Sequence, residues 1–343
     1  MSSQLPSDEL AEIQGIAWRV LESNPEAVPR YRLLRDVLSF PPDHKEMQKA
    51  RESLETSPQV RQLLQEQSQE GSWGPFHSRD NRQKRSIYCT EVGVERALAL
   101  GLDADHPALQ KTGAYILSIL EGKRQFPDHP EKNSRWPTGK RLFLAATLSL
   151  FQPAHPCLER DRALWAEICT RTFASGTYSE DAEIRAHAEL TGAAVKNSYL
   201  VINGKYQLAI LGSIPGALPV ETETALLKWL WEKPFGIGYL SMTLKPPSPG
   251  GKPAELDRWL ASHELLTRGF PRWGVIAREA FDWLWRQRNE NGSWDFGARP
   301  VDNIRLPYSK DWRNHHARFI DWTTRVLALL RSMLARSQPN CPL

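Results

Sequence analysis

A Gly-Ser-Trp turn occurs twice in this chain, in QEGSWG at residues 69–74 and in NENGSWDFG at residues 289–297. Glycine suits the left-handed backbone position just past a helix C-terminus, which a side chain with a Cβ disfavours. When Gly71 is aligned with Gly292, an apolar helix precedes each turn and a Thr followed by an apolar helix comes after each. The repeated unit is therefore a helix, a turn, a loop and a second helix.

Helical periodicity extends along most of the chain. In DELAEIQGIAWRVLE, Asp8 is a predicted N-cap, and one face of the helix carries apolar residues. They are Leu10, Ile13, Ile16, Ala17 and Val20. Period-two alternation is scarce, and Asn203-Gly204 is a signal for one short hairpin. The sequence predicts an all-α protein of stacked helical hairpins.

Length and composition favour one domain. The 343 residues are 41% apolar and 24% charged, which suits a globular protein with a sizeable core. No Gly/Ser-rich or low-complexity stretch separates two halves, and the Pro-rich LKPPSPGGKPAE at residues 244–255 indicates a loop. We predict a single domain over residues 1–343, with residues 1–55 as an N-terminal helical extension.

Charge and hydropathy narrow the range of partners. The net charge of +4 comes from interspersed Lys, Arg, Asp and Glu, so no nucleic-acid partner is predicted. No apolar run approaches the roughly 18 residues that span a bilayer, and MSSQLPSDELAEIQ does not resemble a signal peptide. The sequence predicts a cytoplasmic protein. Residues 226–240, LLKWLWEKPFGIGYL, are a candidate for peripheral contact with a membrane, although their Pro and Gly disfavour a long interfacial helix.

QSQEGSW at residues 67–73 resembles the Gln-x-x-x-Gly-x-Trp repeat of squalene–hopene cyclases and related terpenoid cyclases, and residues 292–294 resemble a degenerate copy. The resemblance implies an α/α toroid, a barrel of inner and outer helices. The Asp-x-Asp-Asp acid of those cyclases is incomplete, because Asp103-Ala104-Asp105-His106 lacks the last Asp and suits a turn. Asp-Asp-x-x-Asp, which would bind magnesium, does not occur either.

KRSIYCTEVGV at residues 84–94 resembles an inner helix of the β subunit of protein prenyltransferases, a single-domain toroid. This resemblance implies that Arg85 contacts an anion and that Tyr88 forms a wall for an apolar chain. The zinc site of that family is not matched, because Thr323 in Asp321-Trp322-Thr323 takes the place of a thiolate ligand. Neither a metal nor another cofactor is predicted.

Further candidates follow from residue type and position. Basic residues on the loop around His77, before a predicted helix N-terminus, suit a phosphate or carboxylate. The segment WRNHHARFIDW at residues 312–322 is expected at the mouth of the barrel. The predicted ligand contacts are Arg79, Lys84, Arg85, Tyr88, Trp136, Arg313 and Trp322. The candidates for acid or base are Asp321, Asp181 and His315.

Two functions stay open at this point. The first is a toroid that binds an apolar, isoprenoid or isoprenoid diphosphate ligand in an aromatic cavity, with or without catalysis. The second is a non-catalytic toroid that binds a lipid, a protein partner or a second copy of itself. The first predicts a deep, aromatic-lined pocket, and the second predicts a filled barrel or an exposed apolar rim.

Overall fold

The computed structural model describes residues 5–78, 86–193, 199–240, 243–248, 251–298 and 304–336. This part of the chain forms fifteen α-helices and, apart from one isolated bridge between Gly204 and Gly238, no β-structure. The prediction of an all-α protein is confirmed. Gly204 is the N-cap of a helix, so Asn203-Gly204 does not form the predicted hairpin.

The helices are short to medium in length and follow one another closely. They are α1 (Leu5–Glu22), α2 (Ala27–Arg32), α3 (Lys45–Glu55), α4 (Pro58–Glu66), α5 (Thr90–Leu100), α6 (Pro107–Leu120), α7 (Trp136–Ser149), α8 (Glu159–Thr172), α9 (Glu180–Thr191), α10 (Lys205–Leu211), α11 (Val220–Glu232), α12 (Pro253–Gly269), α13 (Trp273–Ile276), α14 (Arg278–Arg286) and α15 (His315–Arg336). A π-helical segment, Leu33–Val37, follows α2, and a 3-10 turn, Pro156–Leu158, precedes α8.

Helix α1 uses the apolar stripe that its sequence predicts. Its buried side chains are Ile13, Ile16, Ala17, Val20 and Leu21. The helix begins at Leu5, so Asp8 lies in its first turn and is not the predicted N-cap. A carboxylate in the first turn still interacts favourably with the helix dipole. Helix α1 packs on α15, so the two ends of the described chain share one core.

Three helical segments begin at a histidine. In α3, α6 and the 3-10 turn, Nδ1 of the histidine accepts a hydrogen bond of 3.2 Å from the backbone N–H two residues further on. These residues are His44, His106 and His155. The ring nitrogen performs the task of a Ser or Asp oxygen, because it satisfies a donor that the helix leaves without a partner.

The two Gly-Ser-Trp turns make the same hydrogen bonds. Nε1 of Trp73 donates to the carbonyl of Leu63 at 2.9 Å, and Nε1 of Trp294 donates to the carbonyl of Leu284 at 2.8 Å. Each indole is therefore folded back onto the helix that precedes its turn, and both are fully buried. The pairing of the two turns that the sequence predicts is confirmed.

Each turn is also joined to the helix that follows its loop. The backbone N–H of Trp73 donates to Oγ1 of Thr90, and that of Trp294 donates to Oγ1 of Thr323, both at 3.1 Å. Thr90 begins α5, and Thr323 lies within α15. The two threonines are thus equivalent positions of the repeat.

Gln67 distinguishes the first copy of the turn from the second. Its Nε2 donates to the carbonyl of Ala108 at 2.9 Å and to Oγ1 of Thr112 at 3.0 Å, so the side chain joins the turn to α6. In the second copy Arg288 takes this place and pairs with Glu12 of α1. Both side chains link a turn to a neighbouring helix, one by neutral hydrogen bonds and one by charge.

The helices pack around one continuous apolar core that includes residues from α1 to α15. Helix α15 contacts α1, α2, α12 and the π-helical segment, while α10 contacts α7, α8 and α12. The predicted N-terminal extension, residues 1–55, is described from residue 5 onward, and its α1 and α2 pack directly on α15. Glu9 of α1 pairs in addition with Arg278 of α14.

Candidate functional site

A cavity of about 480 Å³ lies between helices from both ends of the chain. Its walls come from α2 with the π-helical segment, from α5, α7, α10, α12 and α15, and from the loop that leads into α15. Along the described part of the chain, these wall helices alternate with helices that contribute no side chain to the cavity. The fold thus brings Arg32 and Arg325 to the same space.

The cavity wall is rich in charge. Six cationic side chains line it, namely Arg32, Arg35, Lys205, Arg268, Arg305 and Arg325. Four carboxylates line it, namely Asp36, Glu91, Glu95 and Glu264. Asp257, buried behind the wall, also pairs with Arg325, so these described groups leave one positive charge in excess, and an anion is the ligand that this field favours.

Glu95 of α5 joins two of these cations. Its Oε1 lies 3.0 Å from Nζ of Lys205, and its Oε2 lies 2.8 Å from Nη2 of Arg305. Burial opposes the ionisation of Glu95, but Lys205 and Arg305 outweigh it and hold the pKa of the carboxyl below its ordinary value. The group is ionised at neutral pH, and one negative charge therefore serves two cations.

Arg325 forms the most buried ion pair of the wall. Its side chain is 1% exposed, Nε lies 2.6 Å from Oε1 of Glu264, and Nη2 lies 3.0 Å from Oε2. Nη1 contacts Asp257, about two turns before Glu264 on α12. Burial opposes charge on Glu264, but the Arg325 guanidinium keeps the pKa of Glu264 below its ordinary value.

Two further arginines of the wall, Arg32 at the end of α2 and Arg35 in the π-helical segment, share the carboxylate of Asp36. Oδ2 of Asp36 lies 2.8 Å from Nε of Arg32, and Oδ1 lies 2.6 Å from Nε of Arg35. Burial disfavours ionised Asp36, but Arg35 and Arg32 together lower its pKa. Arg32 also contacts the hydroxyl of Tyr308, on the loop that leads into α15.

Apolar side chains complete the wall between these charges. They include Leu98, Leu150, Leu240, Leu265 and Leu329, from five different parts of the chain. On α5 the charged lining residues Glu91 and Glu95 come first and Leu98 and Ala99 follow, and on α15 Arg325 comes before Ala328 and Leu329. The cavity is amphipathic, with groups for an anion and surface for an apolar chain.

A cluster of His77, Glu91 and Tyr206, here called the His77 cluster, adjoins the cavity. Oη of Tyr206 donates to Oε1 of Glu91 at 2.6 Å, and Nδ1 of His77 lies 3.1 Å from Oε2. The His77 ring stacks on Phe143, with centroids 4.1 Å apart and an interplanar angle of 8°. Tyr199 and Tyr239 extend this group of aromatic rings.

Asp128 holds the loop that carries His77. Its carboxylate accepts hydrogen bonds from the backbone N–H groups of Phe76, His77 and Ser78 at 2.6, 2.9 and 2.6 Å. Three N–H groups on one carboxylate fix the backbone of this short segment. The loop that follows the first Gly-Ser-Trp turn therefore presents His77 in one position.

Asp321 holds the loop after the second Gly-Ser-Trp turn in a similar way. It accepts hydrogen bonds from the backbone N–H groups of Tyr308 and Ser309 at 2.7 and 2.9 Å, from Oγ of Ser309 at 2.6 Å and from Nε1 of Trp312 at 2.6 Å. Burial dominates these donors and raises the pKa of Asp321 to about 6. This carboxylate positions Tyr308 at the cavity wall.

The raised pKa of Asp321 predicts a pH dependence of stability. The folded state favours the protonated carboxyl of Asp321. Its contribution to the free energy of unfolding is therefore fully present below the ordinary Asp pKa of 3.8 and is lost as the pH rises through about 6. Asp321→Asn keeps an oxygen for the N–H donors and offers an N–H to the Ser309 hydroxyl. Between about pH 4 and about pH 7, the free energy of unfolding of the wild type is expected to fall by on the order of 2 kcal/mol more than that of this variant. Urea unfolding at each pH measures the difference. Parallel pH curves for the two proteins would contradict the assignment.

The three residues predicted to be acid or base lie apart from the cavity. Asp321 is buried in the loop contact described above, and Asp181 is exposed in the first turn of α9. His315 begins α15, its side chain is 75% exposed, and its Nε2 lies 3.1 Å from Oδ2 of Asp295. None of the three belongs to the described residues that line the cavity.

The predicted ligand contacts are dispersed as well. Trp322 is buried and donates Nε1 to the carbonyl of Gly297 at 2.9 Å. Trp136 is half-buried, with its ring edge-on to Phe126 at 5.5 Å between centroids. Tyr88 is half-buried just before α5, and Arg313 is exposed. None of these four lines the cavity in the described ranges. Arg79, Lys84 and Arg85 lie outside the described residues.

The residues that do line the cavity give only a weak signal in the sequence. Glu91 and Glu95 lie four residues apart in TEVGVERALAL, a largely apolar helix whose other charged residue is Arg96, and Arg325 lies within the largely apolar WTTRVLALL. Charges at the same face of an apolar helix indicate either a solvated stripe or a polar interior, and only the tertiary contacts distinguish the two.

No match is found for this chain among protein-family models, curated proteins or solved structures. None of the described helices combines the length and apolar character required to cross a bilayer. Likewise, the described residues contain no group of three or more His, Cys, Asp or Glu side chains arranged to hold a metal ion. Cys89, Cys157 and Cys169 are free thiols.

Proposed function

We propose that the chain is a single-domain α/α toroid whose central cavity binds an apolar chain with an anionic end. Support for the toroid comes from the alternation of wall helices with helices outside the wall, and from the two equivalent turns, Trp73 and Trp294. The resemblance to terpenoid cyclases and protein prenyltransferases makes an isoprenoid phosphate or diphosphate the first ligand to test.

The cavity carries this proposal. Its volume of about 480 Å³ falls within the roughly 300–1,000 Å³ of small-molecule sites. Leucines from five parts of the chain offer apolar surface, and the excess of cations offers counter-charge to a phosphate. A toroid that serves only as an interaction module needs no such space, so the cavity favours the ligand-binding function over that alternative.

Binding is tested by thermal shift and isothermal titration with farnesyl diphosphate, farnesol, palmitate and inorganic pyrophosphate. Farnesyl diphosphate is expected to stabilise the protein most, because only this compound combines a chain that fills the apolar wall with two phosphates. Stabilisation by pyrophosphate alone to the same degree would remove the apolar chain from the proposal. Stabilisation by palmitate alone would replace phosphate by carboxylate.

Arg305→Met is expected to weaken binding of farnesyl diphosphate by about 10-fold or more, because one charge-assisted hydrogen bond is lost. Lys205 still neutralises Glu95 in this variant, so the fold is kept. Arg160→Met, an exposed position on α8, is the matched control and is expected to bind as the wild type does. Equal affinities of the two variants would contradict the assignment of the anion site.

A further inference from the structure

The segment that follows α2 is a π-helical turn, and it brings charge to the cavity wall. The backbone N–H of Leu38 donates to the carbonyl of Leu33 at 2.9 Å, which closes the wide turn of a π-helix. Arg32, Arg35 and Asp36, here called the Arg35 cluster, all line the cavity. Turns of this kind are rare and occur frequently at functional sites.

The Arg35 cluster holds one more positive charge than negative charge. Its two arginines share a single carboxylate, that of Asp36, whose pKa they hold below its ordinary value. The side chains of Arg32, Arg35 and Asp36 are 15%, 33% and 20% exposed, so most of this charge lies away from bulk water. A charge in such a place is unfavourable until a counter-ion joins it.

The C-terminus of α5 offsets only part of this positive charge. Nη1 of Arg32 donates to the carbonyl of Ala99 at 3.1 Å, and Nη1 of Arg35 donates to the carbonyl of Gly101 at 2.5 Å. These carbonyls lie at the negative end of a helix dipole, which is equivalent to roughly half an elementary charge. The Arg35 cluster therefore stays positive.

The other cations of the cavity wall are balanced by carboxylates. Lys205 and Arg305 face the two lining carboxylates of α5, and Arg325 binds two carboxylates of α12. Arg268, also on α12, offsets the second of those α12 carboxylates in the sum of charges. The positive charge in excess at this cavity therefore belongs to the Arg35 cluster.

The Arg35 cluster and Arg305 meet α5 at different levels. Arg305 pairs with Glu95, whereas the Arg35 cluster binds the carbonyls of Ala99 and Gly101. At a rise of about 1.5 Å per residue, these levels are roughly 6–9 Å apart along the helix axis. Leu98 lines the cavity between them. The cavity thus has two separate cationic places with apolar surface in between.

We propose that the Arg35 cluster is a second anion subsite, and that the cavity binds an apolar chain with a phosphate at one end and a carboxylate at the other. This inference rests on the proposed ligand site and adds the far end of the ligand. In the described ranges Arg305 donates only through Nη2, to Glu95, so its other N–H groups remain for the phosphate. A carboxylate suits the Arg35 cluster, because its single charge matches the single excess charge and its two oxygens match the planar donors of a guanidinium.

The test compares octyl phosphate with 8-(phosphonooxy)octanoate, in which a carboxylate replaces the terminal methyl group. By titration calorimetry, the wild type is expected to bind the carboxylate compound more tightly by about 10-fold or more, because charge-assisted hydrogen bonds are gained. Arg35→Met is expected to remove this preference and to bind octyl phosphate as the wild type does. Arg32 still neutralises Asp36 in this variant, so the fold is kept.

Two further variants separate charge from structure. Arg30→Met is the matched control, because Arg30 lies on α2 but bonds to Asn24 at the surface and is not among the described residues that line the cavity. It is expected to keep both affinities. Arg35→Lys retains the charge and is expected to restore part of the preference. A purely structural effect of Arg35→Met would weaken both compounds alike, which would overturn the subsite.

The remaining outcomes distinguish this inference from the ligand site on which it rests. If the wild type binds both compounds equally, the second subsite is overturned and the ligand site stands. If saturating acetate strengthens the binding of octyl phosphate as much as the attached carboxylate does, the subsite takes a separate small anion and the two-ended ligand is overturned. If Arg35→Met weakens both compounds and Arg305→Met weakens neither, the phosphate lies at the Arg35 cluster, and both assignments are overturned. Binding of neither compound overturns the ligand site as well.

Discussion

Replacement of Arg325 by methionine is expected to lower the free energy of unfolding by about 3–5 kcal/mol. The Arg325 side chain is 1% exposed and faces two carboxylates, Asp257 and Glu264. Methionine fills much of the volume but leaves Asp257, whose side chain is 3% exposed, in the interior without its counter-charge, and it leaves Glu264 at the cavity wall without the same partner. Urea unfolding followed by circular dichroism measures the loss, and the midpoint is expected to fall with little change in slope.

Arg171 is a suitable control, because it also has two carboxylate partners but lies at the surface. Arg171 also contacts two carboxylates, Glu167 and Glu189, but its side chain is 42% exposed, so water and salt screen the pairs. Arg171→Met is therefore expected to cost less than about 1 kcal/mol. If Arg325→Met and Arg171→Met lower the free energy of unfolding by similar amounts, burial of the Arg325 ion pairs does not determine their contribution to stability.

A second large effect is expected at Gly71. Its φ is +97°, and a Cβ there would lie 2.5 Å from the carbonyl carbon and oxygen of Lys111 in α6. Gly71→Ala is expected to destabilise by more than about 2 kcal/mol, because the left-handed backbone alone costs roughly 1–2 kcal/mol for alanine and the backbone contact adds to it.

Gly292 occupies the equivalent place in the second turn and is the natural comparison. Its φ is +76°, but the nearest atom to a Cβ is the end of the Arg19 side chain at 3.1 Å, which can move. Gly292→Ala is therefore expected to cost only the backbone term of roughly 1–2 kcal/mol. Equal losses at the two glycines, measured by the same urea unfolding, would exclude the contact with α6 as a determinant.

The helices and the twin turns could be predicted because their signals are local. Apolar periodicity indicated the buried face of α1, and Gly71 and Gly292 have the left-handed backbone that was expected of them. They do not directly follow their helices, because α4 ends at Glu66 and α14 ends at Arg286. Trp73 and Trp294 each donate a hydrogen bond to the helix that precedes their turn. Such features depend on residues within about ten positions of one another, which a sequence displays directly.

The cavity could not be predicted, because its residues are brought together only by tertiary packing. Glu95, Lys205 and Arg305 come from three distant segments, and nothing in the sequence of any one of them indicates the others. Asp321 illustrates the reverse case. Its place among Trp and His residues suggested an acid or base, whereas its carboxylate accepts hydrogen bonds from a loop. A sequence reveals a carboxylate but not the donors that surround it.

The contacts of Asp128 and Asp321 with two loops have a consequence for affinity. Five backbone N–H groups, those of residues 76–78 and of Tyr308 and Ser309, are bound by these carboxylates. When a loop becomes ordered on binding, it loses conformational entropy, and this loss lowers the affinity. Here that entropy is lost on folding instead. For the proposed ligand, we therefore expect the affinity to depend on charge and shape more than on loop ordering.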